Sequence, residues 1–246
     1  REDGDLTLVG NYWEADSDAG IVMAHGFTGD KSEWGYFDRI AESLNDAGYN
    51  VLAFDFAGSG ESDDEPLRVD NQVDDLGTAI KYMLSEGLDR IGLYGHSQGG
   101  LISLRNYSGR VEAMVLTSPV TDSLADYADT RLTEKQREEL EENGFYTKVR
   151  EKGVREEYIV SKEVIRQKEN LNQDELLQGV KCPVKIIHGE DDEVVPIESS
   201  RRAAENLHNG EIVEIDGLDH GYDEKLDEVE ENAVEFFSET MPVSET

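Results

Sequence analysis

Apolar positions along the chain fall into two patterns. Short, nearly unbroken runs occur at Ile21–Ala24, Val51–Phe54, Ile91–Tyr94, Ala113–Leu116, Val184–Ile187 and Ile212–Ile215. Continuous rather than alternating apolarity marks strands buried on both faces, as in a parallel sheet. Between the runs, apolar residues recur at helical spacing. Phe37, Ile40, Ala41 and Leu44 share one face, as do Val73, Leu76, Ile80 and Met83; Leu226, Val229, Ala233, Phe236 and Phe237 repeat the pattern near the C-terminus. The stretch from Leu6 to Glu14 reads as an antiparallel edge strand, followed by the turn Asp16-Ser17-Asp18-Ala19-Gly20. Strands alternating with helices predict an α/β fold with a doubly wound, mostly parallel sheet. Ligands of such sheets bind beyond the carboxyl ends of the strands.

One stretch interrupts the alternation. From Asp122 to Lys181 no good strand is evident, while Thr133–Glu142 and Lys148–Lys168 read as helical, with Glu151–Arg155 and Lys152–Glu156 at i,i+4 spacing. The expected organisation is a core domain made of residues 1–121 and 182–246, with a small helical cap inserted at 122–181.

Candidate chemistry centres on Gly95-His96-Ser97-Gln98-Gly99, which follows the run ending at Tyr94 and precedes a helical segment. A serine between two glycines at a strand-to-helix turn is a nucleophile elbow, its hydroxyl exposed above the sheet edge. A hydroxyl is a weak nucleophile, so it needs a base, and the base needs an acid to orient it. Of the five histidines, His220 lies in the loop directly after the last strand, at the sheet's carboxyl edge, and is the expected base. The acid belongs in the loop after the preceding strand, where Glu190, Asp191, Asp192 and Glu193 stand in a row that periodicity alone leaves unresolved. An oxyanion would be met by the backbone N–H of Gln98, at a helix N-terminus, and by a second amide from the loop His25-Gly26-Phe27-Thr28-Gly29. No zinc spacing occurs, the single Cys182 permits no intrachain disulfide, and no cofactor or metal is expected.

Together, the segments HGFTGD, FDFAGSGESD, GHSQGG, HGEDDEVVP and GLDHG resemble those of the α/β-hydrolase-fold serine hydrolases over residues 6–239. The similarity is greatest to small carboxylesterases of the cinnamoyl/feruloyl esterase and monoacylglycerol lipase type. That resemblance implies an ester-cleaving enzyme working through an acyl-enzyme, with Ser97, Asp192 and His220 as the triad and the amides of Phe27 and Gln98 as the oxyanion hole. It implies substrate contacts at His25, Gly26 and His96 beside the serine, and at Phe145 and Tyr146 among the few aromatic residues of the cap. The expected partner is a small-molecule ester. An acylaminoacyl-type peptidase or a thioesterase on the same fold is the nearest alternative, and a non-catalytic binding protein on this scaffold a more distant one. The turn Phe54–Asp63 is expected to be structural, closing the floor of the site.

Charge changes the picture last. Against 23 Lys and Arg stand 56 Asp and Glu, a net charge of -33. Residues 122–181 hold 11 basic and 15 acidic residues, so the remainder of the chain carries -29. A charge of this size argues against nucleic acid and anionic membranes as partners. Self-repulsion on this scale destabilises a compact state unless salt screens it, so adaptation to a salt-rich cytoplasm is expected. No run approaches the ~18 apolar residues of a membrane span. No signal peptide is visible, although the chain opens at Arg1 rather than Met and leaves a trimmed leader open. The melting temperature should rise steadily as KCl is raised from about 0.1 M to about 3 M; a melt indifferent to salt would refute the screening argument.

Overall fold

A computed structural model describes residues 6–151, 153–222 and 225–243. The chain opens with β1 (Gly10–Trp13) and β2 (Ala19–Ala24). A 3₁₀ turn at Glu33–Gly35 leads into α1 (Tyr36–Asp46), then β3 (Asn50–Phe54), α2 (Val69–Ser85), β4 (Arg90–His96), α3 (Gln98–Arg105) and β5 (Val111–Thr117). A long excursion carries α4 (Tyr127–Arg131), α5 (Glu134–Asn143), β6 (Phe145–Val149), β7 (Glu157–Ser161), α6 (Lys162–Glu169) and α7 (Gln173–Leu177). The chain then returns through β8 (Val184–Gly189), α8 (Ile197–Asn206), β9 (Gly210–Ile215) and α9 (Leu226–Thr240).

Seven strands form the main sheet in the order β1-β3-β2-β4-β5-β8-β9. Only β1 runs antiparallel, with Gly10 opposite Phe54 and Trp13 opposite Val51. Successive side chains of a strand point to opposite faces, and here both faces are covered. From β2, Ile21 and Met23 join Phe37, Ile40 and Leu44 of α1 and Phe236 and Phe237 of α9. Val22 and Ala24 point the other way, into a core with Leu76, Ile80 and Met83 of α2 and Leu101 and Ile102 of α3. Each fully buried Phe, Leu or Ile contributes roughly 1.5–3 kcal/mol, and β2, β3 and β8 are buried throughout. The edge strand β9 differs from the expected run: Ile212 and Val213 are half-buried and only Ile215 is buried, because one flank has no neighbouring strand. At the C-terminus α9 ends at Thr240, and buried Met241 accepts a hydrogen bond from Tyr49 Oη at 2.9 Å.

The excursion between β5 and β8 is not purely helical. The helix expected at Thr133–Glu142 forms as α5, with Thr133 and Gln136 making a capping box and Gly144 ending it at φ 77°. The helix expected over Lys148–Lys168 does not form as one element. Residues 145–149 and 157–161 pair as an antiparallel hairpin, and only Lys162–Glu169 is helical. The aromatic and β-branched residues Tyr146, Tyr158 and Val160 favour strands, and all three are buried in the larger core. The helical charge spacing has another use: Arg155 reaches the carboxylate of Asp64 and the carbonyl of Ser62, the latter at 2.8 Å. Lys152 lies outside the described residues. The hairpin is tied to the core where Leu67 N–H donates to Ile159 O at 2.7 Å.

Two turns at the carboxyl edge are bound by a buried ion pair. Asp55, after β3, is fully buried and accepts from Lys31 N at 2.6 Å, Lys31 Nζ at 3.0 Å and Glu61 N at 2.8 Å. Lys31, after β2, is also buried and reaches Glu61. Replacing Lys31→Met leaves Asp55 charged with only its two amide donors. Urea denaturation should show a loss of about 3 kcal/mol, the low end for breaking a buried pair, because those amides remain.

Candidate active site

Ser97 sits between β4 and α3 with φ 52° and ψ -114°, a strained backbone for a residue with a Cβ. Hydrogen bonds on both sides hold it there: Ser97 N–H donates to Thr117 O at 2.9 Å, and Ser97 O accepts from Val120 N at 3.0 Å and Gly100 N at 3.1 Å. The flanking glycines are required by contact. A Cβ on Gly99 would lie 1.9 Å from Ala24 O, and one on Gly95 would lie 2.7 Å from both Gly99 O and Ser103 Oγ.

Three carboxyl-edge loops converge on this turn. His220, after β9, has Nε2 3.1 Å from Ser97 Oγ, while its Nδ1–H donates to Asp192 Oδ2 at 2.7 Å. Asp192, after β8, accepts through Oδ1 from Val194 N at 2.8 Å and Val195 N at 2.9 Å. Asp192 thus meets His220, and neither Asp191 nor Glu193 does. His188 adds a donor: Nε2 lies 3.2 Å from Asp192 Oδ2 and 3.1 Å from Val195 O, and Nδ1 lies 2.7 Å from Ser200 Oγ. Because a carbonyl only accepts, Nε2 carries the proton. Burial would raise the Asp192 carboxyl, but the bonds from His188 and His220 and the backbone outweigh it and hold it well below the usual carboxylate range. With Asp192 anionic, His220 keeps Nδ1 protonated and Nε2 free to accept from the Ser97 hydroxyl.

Behind this relay His96 stacks on His220, ring centroids 4.9 Å apart, and shares a hydrogen bond with the buried Tyr222 hydroxyl. Burial, with His220 adding to it, keeps His96 neutral, and burial raises Tyr222 well above its ordinary value. Tyr222 was not singled out in the sequence; its place two residues after His220 is the only signal for it.

The amide of Gln98 opens α3, where no preceding helical turn supplies an acceptor. The Phe27 amide, in the loop after β2, makes no hydrogen bond among the described residues. That loop rests on Glu33, a buried carboxyl that accepts from Gly26 N–H and whose oxygen leaves no room for a Cβ on Gly29. Burial pushes Glu33 up to about 8; Asp30 adds to the rise, and the Gly26 N–H and Arg150 oppose it. Glu33 and Trp34 hold positive φ, at 41° and 57°, so a strained turn aims the carboxyl inward. Nothing in the surrounding Lys31-Ser32-Glu33-Trp34-Gly35-Tyr36 distinguished it in the sequence.

A cleft of about 680 Å³ opens above Ser97 and His220, walled by Gly26, Phe27, Glu33, His96, Tyr127 and Lys168, among others. Of the positions expected to touch substrate, Gly26 and His96 line it and three do not. His25 is fully buried, its Nδ1–H donating to Gly26 O at 2.8 Å and its Nε2 accepting from Phe56 N at 3.1 Å, so it braces the loop from behind. Phe145 is exposed and Tyr146 is buried in the core, so neither reaches the cleft; of β6, Lys148 does. Instead, the excursion contributes Tyr127, Arg131, Lys148, Arg150 and Lys168 to the walls. Among the described residues no cluster of His, Cys, Asp or Glu is arranged to hold a metal ion.

The family model described as the alpha/beta hydrolase family matches residues 21–232, and the chain belongs to that family. It is a hydrolytic enzyme. A 2-hydroxy-6-oxo-6-(2'-aminophenyl)hexa-2,4-dienoic acid hydrolase of Metapseudomonas resinovorans is 26% identical over 215 residues, covering 77% of this chain and 73% of that one. A bifunctional esterase/perhydrolase of Acinetobacter calcoaceticus is 46% identical over 48 residues, 19% of this chain, and the match spans only 17% of that relative's length. The crystal structure of Est1E from Butyrivibrio proteoclasticus with ferulic acid bound superposes with a TM-score of 0.78 at 25% identity, covering 96% of both chains.

The raised Glu33 carboxyl carries a stability consequence. Its protonated form is favoured in the folded chain, so the associated stability is complete below about 4.5 and is lost as pH rises to about 8. Glu33→Gln keeps an acceptor for Gly26 N–H without the charge. Its unfolding free energy from urea denaturation should match the wild type near pH 4.5 and exceed it increasingly toward pH 8, by at most about 1.4 kcal/mol per pH unit; parallel curves would remove the buried-acid assignment.

Proposed function

We propose that the protein is a carboxylesterase acting through an acyl-enzyme. The single observation that carries this reading is the Ser97–His220–Asp192 relay, at 3.1 Å and 2.7 Å, opening onto a cleft. Ser97 Oγ attacks the ester carbonyl carbon as its proton passes to His220 Nε2. Asp192 holds the imidazole tautomer and stabilises the imidazolium. The amides of Phe27 and Gln98 receive the oxyanion, where fixed dipoles act in a partly dehydrated site. Collapse breaks the bond to the alcohol oxygen, which leaves with the proton from His220. A water molecule, deprotonated by the same nitrogen, then attacks the acyl carbon and releases the acid and Ser97.

Residues 122–181 serve as the substrate cap in this reading, supported by the residues they supply to the cleft, Tyr127, Arg131, Lys148, Arg150 and Lys168 among them. The net charge supports a salt-rich compartment. No helix among the described residues is long and apolar enough to cross a membrane. A peptidase or thioesterase would use the same relay, and no particular observation favours either.

A fluorophosphonate probe should label the wild type and not Ser97→Ala. Hydrolysis of p-nitrophenyl butyrate should fall roughly 10⁴-fold or more in Ser97→Ala and His220→Ala. Equal labelling of wild type and Ser97→Ala would overturn the assignment of the nucleophile.

A further inference from the structure

The cleft has the opposite charge to the molecule that holds it. The chain carries 56 acidic against 23 basic residues. Yet Arg131, Lys148, Arg150 and Lys168 all line the cleft, and among the described residues Glu33 is the one Asp or Glu on its walls. All four cations come from the insertion between β5 and β8.

Two of them are already committed. Arg150 donates from Nε to Thr28 Oγ1 at 2.9 Å and from Nη2 to Phe27 O at 3.2 Å, fastening the insertion to the loop after β2. Arg131 reaches Val194 O at 3.3 Å, in the Asp192 loop. The two lysines are not committed. Neither Lys148 nor Lys168 has a carboxylate within ion-pair distance or a hydrogen-bond acceptor among the described residues. Lys168 is 3% exposed. Its Nζ lies 3.7 Å from the centroid of the Phe27 ring and 4.9 Å from that of Tyr127.

A buried ammonium without a counter-ion is costly, and cation–π contact recovers only part of that cost. Burial pushes Lys168 down to about 7, and the nearby Lys148 charge adds to the fall. Lys148 is itself lowered, by burial and by Arg150. A structural lysine in so acidic a chain would find a carboxylate easily. Both lysines line the cleft that also holds Phe27 and Ser97.

We infer that the ester substrate carries a carboxylate, bound by Lys168 and Lys148 over the Phe27 ring. The inference rests on the esterase reading of the Ser97 site and adds the substrate class. One buried lysine with a second beside it matches a monoanion. Phe27 and Tyr127 would flank the methylene or aryl part that joins the carboxylate to the ester.

The test compares matched esters at one fixed KCl concentration. An acyl-side pair is the p-nitrophenyl monoester of adipic acid against p-nitrophenyl hexanoate. An alcohol-side pair is 4-(butyryloxy)benzoate against its methyl ester. A third probe, 4-(butyryloxy)phenyl phosphate, distinguishes carboxylate from phosphate. Rates with the Ser97→Ala protein are subtracted, since carboxylate esters can hydrolyse unaided. In at least one pair the carboxylate ester should exceed its neutral partner tenfold or more in kcat/KM. Lys168→Met and Lys148→Met should each lower that ratio at least fivefold, chiefly through KM. Preference for the neutral ester in both pairs, or for the phosphate over both carboxylates, overturns the inference. So does a ratio unmoved by both substitutions. Fluorophosphonate labelling of Ser97 is read in parallel: a labelled enzyme without carboxylate preference refutes the subsite alone, whereas loss of labelling refutes the esterase reading beneath it.

Discussion

The site depends on one close approach. Gly99 lies so near Ala24 O that a single added carbon would sit 1.9 Å from it. This brings the N-terminus of α3 against the end of β2, so Ser97 and the loop after β2 border the same cleft. It occurs where the strand order reverses, with β2 between β3 and β4, the position at which open α/β sheets form their ligand crevice. The same tightness extends outward. Glu33 occupies the volume that side chains at residues 26 and 29 would need, and His25 joins the loop to Phe56. The glycines of this edge are spaces already filled by a neighbour's carbonyl or carboxyl, and that filling keeps a strained serine in place.

The central strands were legible because burial on both faces leaves continuous apolar runs, a signal that needs no knowledge of neighbours. The hairpin of residues 145–161 was not, because two charge pairs at helical spacing outweighed an alternation only a few residues long. The buried face of α8 is Ser199, Ser200, Ala203 and Ala204, too weakly apolar to register as a helix stripe. At the site, order along the chain pointed to Ser97 and His220. Choosing among four consecutive acids needed a resemblance, since only folding shows that the amides of Val194 and Val195 turn Asp192 toward His220. Phe145 and Tyr146 were expected in the cleft as aromatic residues. Burial decided otherwise: hydrophobic size drives Tyr146 into the core, and the cleft takes the cations.

Those cations were visible in composition but not in place. Eleven of the 23 basic residues fall within residues 122–181, and on a stretch read as a helical cap they look like ordinary i,i+4 partners. Lys168 lies on a helix, and nothing in its neighbours distinguishes it from Lys162. The difference is tertiary: α6 turns Lys168 onto the Phe27 ring.

The placement matters more as ionic strength rises. At 1 M salt the Debye length is about 3 Å, so the field of the acidic surface is screened within one hydration layer and neither repels nor steers a distant anion. Only charges in direct contact, away from mobile counter-ions, still discriminate between substrates. An exposed lysine would lose its selectivity under those conditions together with the rest of the surface. A lysine that is 3% exposed and seated on an aromatic ring would keep it. The strongly acidic exterior and the basic cleft are therefore compatible in one molecule: salt neutralises the exterior at long range, and burial preserves the cleft at short range.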